Sequence, residues 1–347
     1  MSTEETFARY SRQIRFAPLG EEGQRKLASA RVAVCGCGAL GTVIANGLVR
    51  AGVGFVRIID RDFLELNNLQ RQILFDEQDL AEALPKAEAA AGKLRRINSA
   101  VEVEAVVTDL DYANIDALCR DVHLLMDGTD NFETRFLIND YCVSRGKPWV
   151  FGGCIGSQGQ CMTIVPGVTP CYRCLVEEAP PPGTTATCES AGILASASGM
   201  VGSLQVAEGI KILSGNESAL RRGFVVFDLW DNSFRELRLD GLREKVDCPV
   251  CKQCRFDWLE GKEGGHTTIL CGRNAVQVVP SRRGNLDLEQ LRQRIATAAD
   301  SVTSNRFLLR FEIEEYQFSV FPDGRAIIKG TDDIGQAKSL YARYVGS

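Results

Sequence analysis

Only two histidines, His123 and His266, occur in 347 residues. A reaction that turns on a histidine general base is therefore poorly supplied. His123 falls in the apolar run VHLLMDG and is expected to be a strand residue beside the core. Long hydrophobic runs are also missing. None approaches the roughly 20 residues that a membrane helix requires. The opening segment MSTEETFARYSRQIRF has no apolar stretch of the secretory kind. An excess of basic charge is absent too. The net charge is −5 and the pI near 5.4, which argues against a broad nucleic-acid surface but leaves room for a local cationic pocket. These absences point to a cytoplasmic protein that engages neither membrane nor nucleic acid.

What is present is ordinary globular composition, 45% apolar and 24% charged. The length allows one large α/β domain and a smaller one. Thirteen cysteines are many. In a reducing compartment they read as metal ligands, nucleophiles or small core residues rather than disulfides.

Along the chain, ARVAVCG (30–36) reads as a buried strand and ALGTVIANGLVRAG (39–52) as a helix. Strands follow at 55–62, 101–107, 123–130 and 148–154, separated by helices at 79–98 and 132–146. Alternation of this kind predicts a doubly wound, Rossmann-like, mostly parallel sheet. GQCMTIVPG and FVVFDLW look like antiparallel strands that continue it. The stretch APPPGTTATCES between them, rich in Pro, Gly and Thr, reads as a loop, and 196–215 as a helix ending in glycine. GKEGGH (261–266) reads as a linker. The expected division is a domain over 1–260 and a small α+β domain over 265–347.

Gly36-Cys37-Gly38-Ala39-Leu40-Gly41 is a GxGxxG between a strand and a helix. Its glycines permit a tight turn, close approach of backbone to phosphate and close packing of helix on strand. The helix N-terminus offers free N–H groups to an anion. Asp60, at the end of the next strand, stands where a partner for ribose hydroxyls belongs. An NAD- or FAD-binding oxidoreductase is the rival reading of this loop. Against it, Asn67, Asn68, Gln70, Arg71 and Gln72 crowd the segment after Asp60, and DGTDN (127–131) puts two carboxylates at the sheet's carboxyl edge. Carboxylates beside a polyphosphate suit a divalent cation.

SRQI (11–14), the glycine loop, D-x5-NLQRQ (62–72), PKAE (85–88), DGTDN, CYRC (171–174), GSLQVAEGIK (202–211) and CPVC (248–251) occur in that order. With these motifs the chain resembles the ThiF/MoeB/HesA family of adenylyltransferases, relatives of ubiquitin-activating enzymes, over residues 5–260. The resemblance implies adenylation by ATP and Mg2+ of the C-terminal glycine carboxylate of a small ubiquitin-like sulfur carrier ending in Gly-Gly. Asp130 would be the magnesium ligand, with Asp127 the alternative. Arg71, Lys86 and Asn68 would hold the ATP phosphates, and Asp60 and Gly41 the ribose and phosphates. Arg12 is similar to the arginine that members insert into the other subunit of a homodimer. A C-terminal carboxylate is already ionised at neutral pH, so this chemistry needs no histidine. A non-catalytic scaffold subunit is the third reading, which leaves the set of Arg71, Lys86 and Asp130 unused.

Cys171-x-x-Cys174 and Cys248-x-x-Cys251 form two CxxC pairs, whose four thiolates suit a closed tetrahedral structural zinc site. Disulfide pairing is the alternative, and Cys254 a competing ligand. Cys188 lies in the loop TTATCES, where the resemblance implies a thioester or acyl disulfide with the carrier. Cys154 and Cys161 are alternatives on strands, and Cys35 and Cys37 read as packing residues. Residues 265–347 go beyond the minimal members of that family. They are too short for a rhodanese domain, and CGRNAV (271–276) lacks a persulfide loop.

Overall fold

The computed structural model describes residues 7–179, 188–263, 267–270, 274–280, 286–296, 298–305 and 307–346. The chain forms two compact units, residues 1–180 with 192–263 and residues 181–191 with 264–347.

After the helical residues 7–9, the larger unit runs through α1 (Ser11–Ile14) and α2 (Gly20–Ser29). The Rossmann-like part then runs β1 (Arg31–Cys35), α3 (Ala39–Ala51), β2 (Phe55–Ile59), α4 (Glu77–Ala81), α5 (Lys86–Ile97) and β3 (Glu102–Val106). It continues with α6 (Ile115–Cys119), β4 (Leu124–Asp127), α7 (Phe132–Arg145) and β5 (Trp149–Ile155). After β6 (Gln158–Ile164) the chain passes α8 (Cys188–Ala191), which belongs to the second unit, and returns as α9 (Ala195–Ser214). The unit closes with β7 (Phe224–Asp228), β8 (Ser233–Leu237) and α10 (Leu242–Lys245).

The sheet order is β3-β2-β1-β4-β5-β6-β7-β8. Strands β3 to β5 are parallel, and β5 to β8 antiparallel. The strand order reverses about β1 and β4, and in open α/β sheets ligands bind outside the carboxyl ends at such a point. Both faces are covered, which explains the continuous apolar runs of the central strands. Val32 and Val34 of β1 pack on one side with Ile44 and Leu48 of α3 and Leu94 of α5. Ala33 and Cys35 face the other side with Phe136 and Ile138 of α7 and Trp149. Helices α3 and α9 meet through small residues. A methyl at Gly47 would lie 2.8 Å from Val206 Cγ2, and one at Gly202 2.7 Å from Val43 Cβ.

The predicted helix at 79–98 is two helices. Pro85 separates them, since it cannot donate the hydrogen bond a continuous helix needs. His123 precedes β4 rather than lying within it. It is exposed, and its Nδ1 accepts a 3.0 Å hydrogen bond from the Arg31 N–H. The expectation of a strand position near the core is thus corrected: the imidazole serves as acceptor for the first N–H of an adjacent strand.

The second unit contains an antiparallel sheet of order β11-β12-β13-β14-β10-β9, with β9 (Thr267–Leu270), β10 (Ala275–Val278), β11 (Ser301–Ser304), β12 (Leu309–Ile313), β13 (Tyr316–Val320) and β14 (Ala326–Lys329). Helices α11 (Leu288–Ile295) and α12 (Ile334–Tyr344) share its core with Phe311, Phe318 and Ile328. Among the described residues no helix is long and apolar enough to cross a membrane.

Candidate active site

The glycine loop is locked by backbone contact with the DGTDN turn. Gly36 has φ +91°, a left-handed value that side chains rarely adopt. A methyl there would lie 2.6 Å from the Gly128 carbonyl oxygen, and one at Gly41 only 1.9 Å from the Gly36 carbonyl oxygen. Gly128 closes the triangle, since its own methyl would lie 2.9 Å from Gly41 Cα. Gly38, the residue before α3, has no atom within 4 Å of such a position and faces open space. Three glycines thus serve packing, and Gly38 leaves room for a ligand against the helix N-terminus. Gly128 was quoted within DGTDN but given no role, since it carries no GxGxxG signal.

Asp60 braces this loop. Its Oδ2 accepts the Cys37 N–H at 2.6 Å and its Oδ1 the Asp62 N–H at 2.7 Å. Burial pushes its carboxyl above the ordinary range, Lys86 draws it down and Asp62 raises it. Each carboxylate oxygen has a second lone-pair site, so ribose hydroxyls can still be bound.

Lys86 reaches the same place through a bridge between Phe63 and Pro85. Its N–H donates to the Asp62 carbonyl at 2.9 Å, and its Nζ lies 3.3 Å from Asp62 Oδ2. The residue is only 5% exposed. Asp62 faces this buried ammonium, and a polyphosphate would meet it already largely desolvated. Asp62 was quoted in a motif but given no role; here it holds the lysine. Asn68 is buried and caps the turn Leu66–Asn68, with its Oδ1 accepting the Glu65 N–H at 3.1 Å. Its amide also donates to Asn67 Oδ1 at 2.8 Å. Arg71 donates to the Asn67 carbonyl at 2.7 Å.

The two carboxylates of DGTDN part company. Asp127 is fully buried. Its Oδ1 accepts the Thr129 N–H at 2.9 Å and hydroxyl at 2.6 Å. Its Oδ2 accepts Arg135 Nε at 3.2 Å and the Gly152 N–H at 3.4 Å. Burial pushes its carboxyl up and Arg135 pulls it back. This carboxylate is consumed by the fold. Asp130, three residues on, is exposed. Arg135 also donates to the carbonyls of Thr129 and Gly152, at 2.8 and 3.1 Å, so it ties the turn to β5. From α9, Gln205 donates to the Asp127 carbonyl at 2.7 Å and to Val150 at 3.1 Å. Neither residue was singled out from sequence. Gln205, a polar side chain on the buried face of a small-residue helix, was the available signal.

Arg12 does not join this cluster. Its neighbour Gln13 bonds Ala51, the last residue of α3, whereas the glycine loop opens that helix's other end. Thirteen residues span about 18 Å, beyond an arginine's reach. Arg12 is exposed and makes no side-chain hydrogen bond or ion pair among the described residues.

The CxxC pairs do converge. Cys171 Sγ lies 3.8 Å from Cys174 Sγ and 3.5 Å from Cys248 Sγ, and Cys174 Sγ 3.5 Å from Cys251 Sγ. All four sulfurs lie within 4.8 Å of one another. Disulfide sulfurs would stand about 2.05 Å apart. Sulfurs at about 2.3 Å from a tetrahedral metal stand about 3.8 Å apart. Hydrogen bonds from Cys171 and Cys174 bring the Cys251 thiol down to about 7. Cys254 is exposed and outside the cluster. Cys35 and Cys37 are buried packing residues. Burial pushes the Cys161 thiol up to about 12, unsuited to a nucleophile, and Cys154 is half-buried on β5. Cys188 opens α8. Its side chain, His266 and Cys271 lie outside the described residues.

The family described as ThiF family is matched over residues 10–250. The chain is 44% identical over 340 residues to the sulfur carrier protein ThiS adenylyltransferase of Bacillus subtilis strain 168, covering 97% of this chain and 99% of that protein. It is 39% identical over 252 residues to the SAMP-activating enzyme E1 of Haloferax volcanii, covering 73% and 91% respectively. The match to the mouse adenylyltransferase and sulfurtransferase MOCS3 is 41% over 247 residues, spanning 71% of this chain and 52% of that one. A crystal structure of E. coli MccB with ATP shares the fold, with a TM-score of 0.59 and 24% identity over 70% of this chain and 73% of that one.

Proposed function

Because the chain belongs to the ThiF family, we propose that it is an adenylyltransferase that activates the C-terminal glycine carboxylate of a small ubiquitin-like sulfur carrier with ATP. Family membership answers the oxidoreductase reading of the glycine loop. The observation that carries the proposal is the split within DGTDN: Asp127 is buried in the hydrogen bonds of the turn, whereas Asp130 is exposed two residues after Gly128, which packs against Gly36 of the phosphate loop. An exposed carboxylate next to bound phosphates suits magnesium, which takes most of its other ligands from phosphate and water. Magnesium, when bound, neutralises charge on the phosphates.

In the proposed reaction an oxygen of the carrier carboxylate attacks the α-phosphorus of ATP. The new O–P bond forms as the bond to pyrophosphate breaks, and no proton need be removed. The glycine loop and the N-terminus of α3 receive the phosphates, with Gly38 leaving the space. Asp60 binds ribose hydroxyls. Lys86, Arg71 and Asn68 offset the charge that develops on the phosphate oxygens. Arg12 completes the set from a second copy of the chain, because its own site is beyond reach. In a second step Cys188 accepts the acyl group as a thioester, and AMP leaves; this step rests on the position of Cys188 in the sequence. The reading places the enzyme in the cytoplasm.

ATP–pyrophosphate exchange tests this. Exchange should require magnesium and a carrier with an intact Gly-Gly end. Asp130→Ala should lower it by about 100-fold or more. Exchange that survives in the variant would remove Asp130 from the role.

The Cys171, Cys174, Cys248 and Cys251 thiolates fit zinc by number, burial and spacing. Zinc there would have a structural role, since no fifth protein group or open position is needed. Metal analysis should find about one zinc per chain. Cys248→Ser should lose the metal and lower the melting temperature. Four thiols that stay titratable in metal-free, fully stable protein would overturn the assignment.

A further inference from the structure

The residues on either side of Arg12 are fastened to the C-terminal ends of two helices. The last carbonyls of a helix have no intrahelical donor and must find one elsewhere. At the end of α3, the Ala51 carbonyl accepts Gln13 Nε2 at 2.9 Å and Gln24 Nε2 at 2.9 Å. Gln13 Nε2 also donates to Gln24 Oε1 at 2.7 Å. Two residues earlier, the Val49 carbonyl accepts Asn98 Nδ2 at 2.9 Å. The same Asn98 amide donates to Tyr10 Oη at 2.8 Å. At the end of α5, the Ile97 carbonyl accepts Arg9 Nη1 at 3.0 Å. Asn98 and Gln24 are almost wholly buried, and Tyr10 is 5% exposed.

Gly52 completes the fixture. It ends α3 with φ +83°, and the Tyr10 ring lies directly on it. A methyl at Gly52 would stand 2.4 Å from Tyr10 Cζ. The single-turn helix α1 (Ser11–Ile14) has no buried residue of its own and could not hold its shape unaided. Its geometry comes from the residues that flank and pin it, Tyr10 before and Gln13 within. Between them Arg12 is exposed and makes no side-chain hydrogen bond or ion pair among the described residues. Such an arrangement puts polar anchors on a surface turn that carries the exposed Arg12.

We propose that Tyr10 and Gln13 are positioning residues that fix the Ser11–Ile14 turn so that Arg12 is presented, already aimed, to the phosphate site of a second copy of the chain. This rests on the reading of Arg12 as a residue supplied across a dimer. An arginine side chain loses much rotamer freedom when it binds. Fixing its backbone beforehand removes the backbone part of the ordering cost from the catalytic step.

The test uses Tyr10→Phe with Gln13→Met, a pair that keeps ring packing and side-chain length but deletes the hydrogen bonds. Urea unfolding confirms that the variant is folded before activity is read. The expected result is a fall in kcat for pyrophosphate exchange of roughly 10- to 100-fold, with the KM for ATP unchanged. Adding Arg12→Ala to the pair should cost nothing beyond Arg12→Ala alone, because the anchors act only through the arginine. Differently tagged Tyr10→Phe/Gln13→Met and Asp130→Ala chains, co-expressed and purified as mixed dimers, should recover one working site.

Wild-type exchange by the pair, alongside loss in Arg12→Ala, would overturn the positioning role and leave the arginine reading standing. Wild-type exchange by Arg12→Ala would overturn both. Losses that add in the triple variant, or that mixing fails to rescue, would mark the anchors as structural only.

Discussion

Replacing Gly41 with alanine is expected to abolish ATP binding and to lower stability by about 3 kcal/mol or more, the upper end for overpacking. The added methyl would sit 1.9 Å from the Gly36 carbonyl oxygen and 2.8 Å from its carbon. Both neighbours are backbone, so no side-chain rotation relieves the contact. Gly36 cannot retreat, because it lies against Gly128 at the start of the turn that carries Asp130. The strand-to-helix junction must open, and the N–H groups at the start of α3 then no longer converge on one phosphate. Gly38→Ala is the informative contrast, since its methyl meets nothing within 4 Å. It should fold with near-native stability yet bind ATP more weakly, because the methyl occupies space the phosphate needs. Calorimetric ATP titration and urea unfolding of the two variants check both statements. Native ATP affinity in Gly41→Ala would show that the close packing seen here is not required for binding.

The sequence carried the parts of this molecule whose signal is local. The GxGxxG, the buried strand before it and the helix after it were legible because a phosphate loop dictates residue types at fixed spacing. The parallel strands were legible because both their faces are buried, which yields unbroken apolar runs. Strand β8 was not read, because Ser233–Leu237 forms an edge and most of its side chains are exposed, so it carries no clear alternation. Helix α6 and strand β11 were missed as well, being five and four residues long, below the span at which periodicity is visible.

The candidate site divides the same way. The CxxC pairs, Asp60, Lys86 and Asp130 were found by motif. Asp127 and Asp130 could not be ranked from sequence by chemistry, since both are carboxylates in one five-residue turn. Burial separates them, and burial here depends on Arg135 and Gln205, which come from helices five and 75 residues beyond that turn's Asp130. Arg12 presents the converse case. Its motif was visible, but its distance from the loop of its own chain follows only from the hydrogen bond between Gln13 and the far end of α3.

Arg135→Ala should be the most destabilising single change near the site that leaves every proposed nucleotide-binding residue in place. The substitution strands the Asp127 carboxylate, which is fully buried, without its only ion-pair partner among the described residues. Removing one member of a buried pair costs about 3–5 kcal/mol. It also frees the Thr129 and Gly152 carbonyls that Arg135 ties together, so Asp130 loses its fixed backbone and exchange should fall with stability. The pH dependence gives an independent reading. Burial already pushes the Asp127 carboxyl up, and without the guanidinium it rises further. The folded variant then keeps a proton that the unfolded chain releases near the ordinary carboxylate value of about 3.9. Above that pH the unfolded state binds fewer protons than the folded one, so stability falls as pH rises through the folded-state value. Urea midpoints measured from pH 5 to pH 8 should therefore slope downward more steeply in Arg135→Ala than in the parent. Asp127→Asn combined with Arg135→Leu removes both charges and should recover part of the loss and flatten the slope. Equal slopes in all three proteins would mean that Asp127 draws its stabilisation from the Thr129 and Gly152 hydrogen bonds alone, and that the turn is held without Arg135.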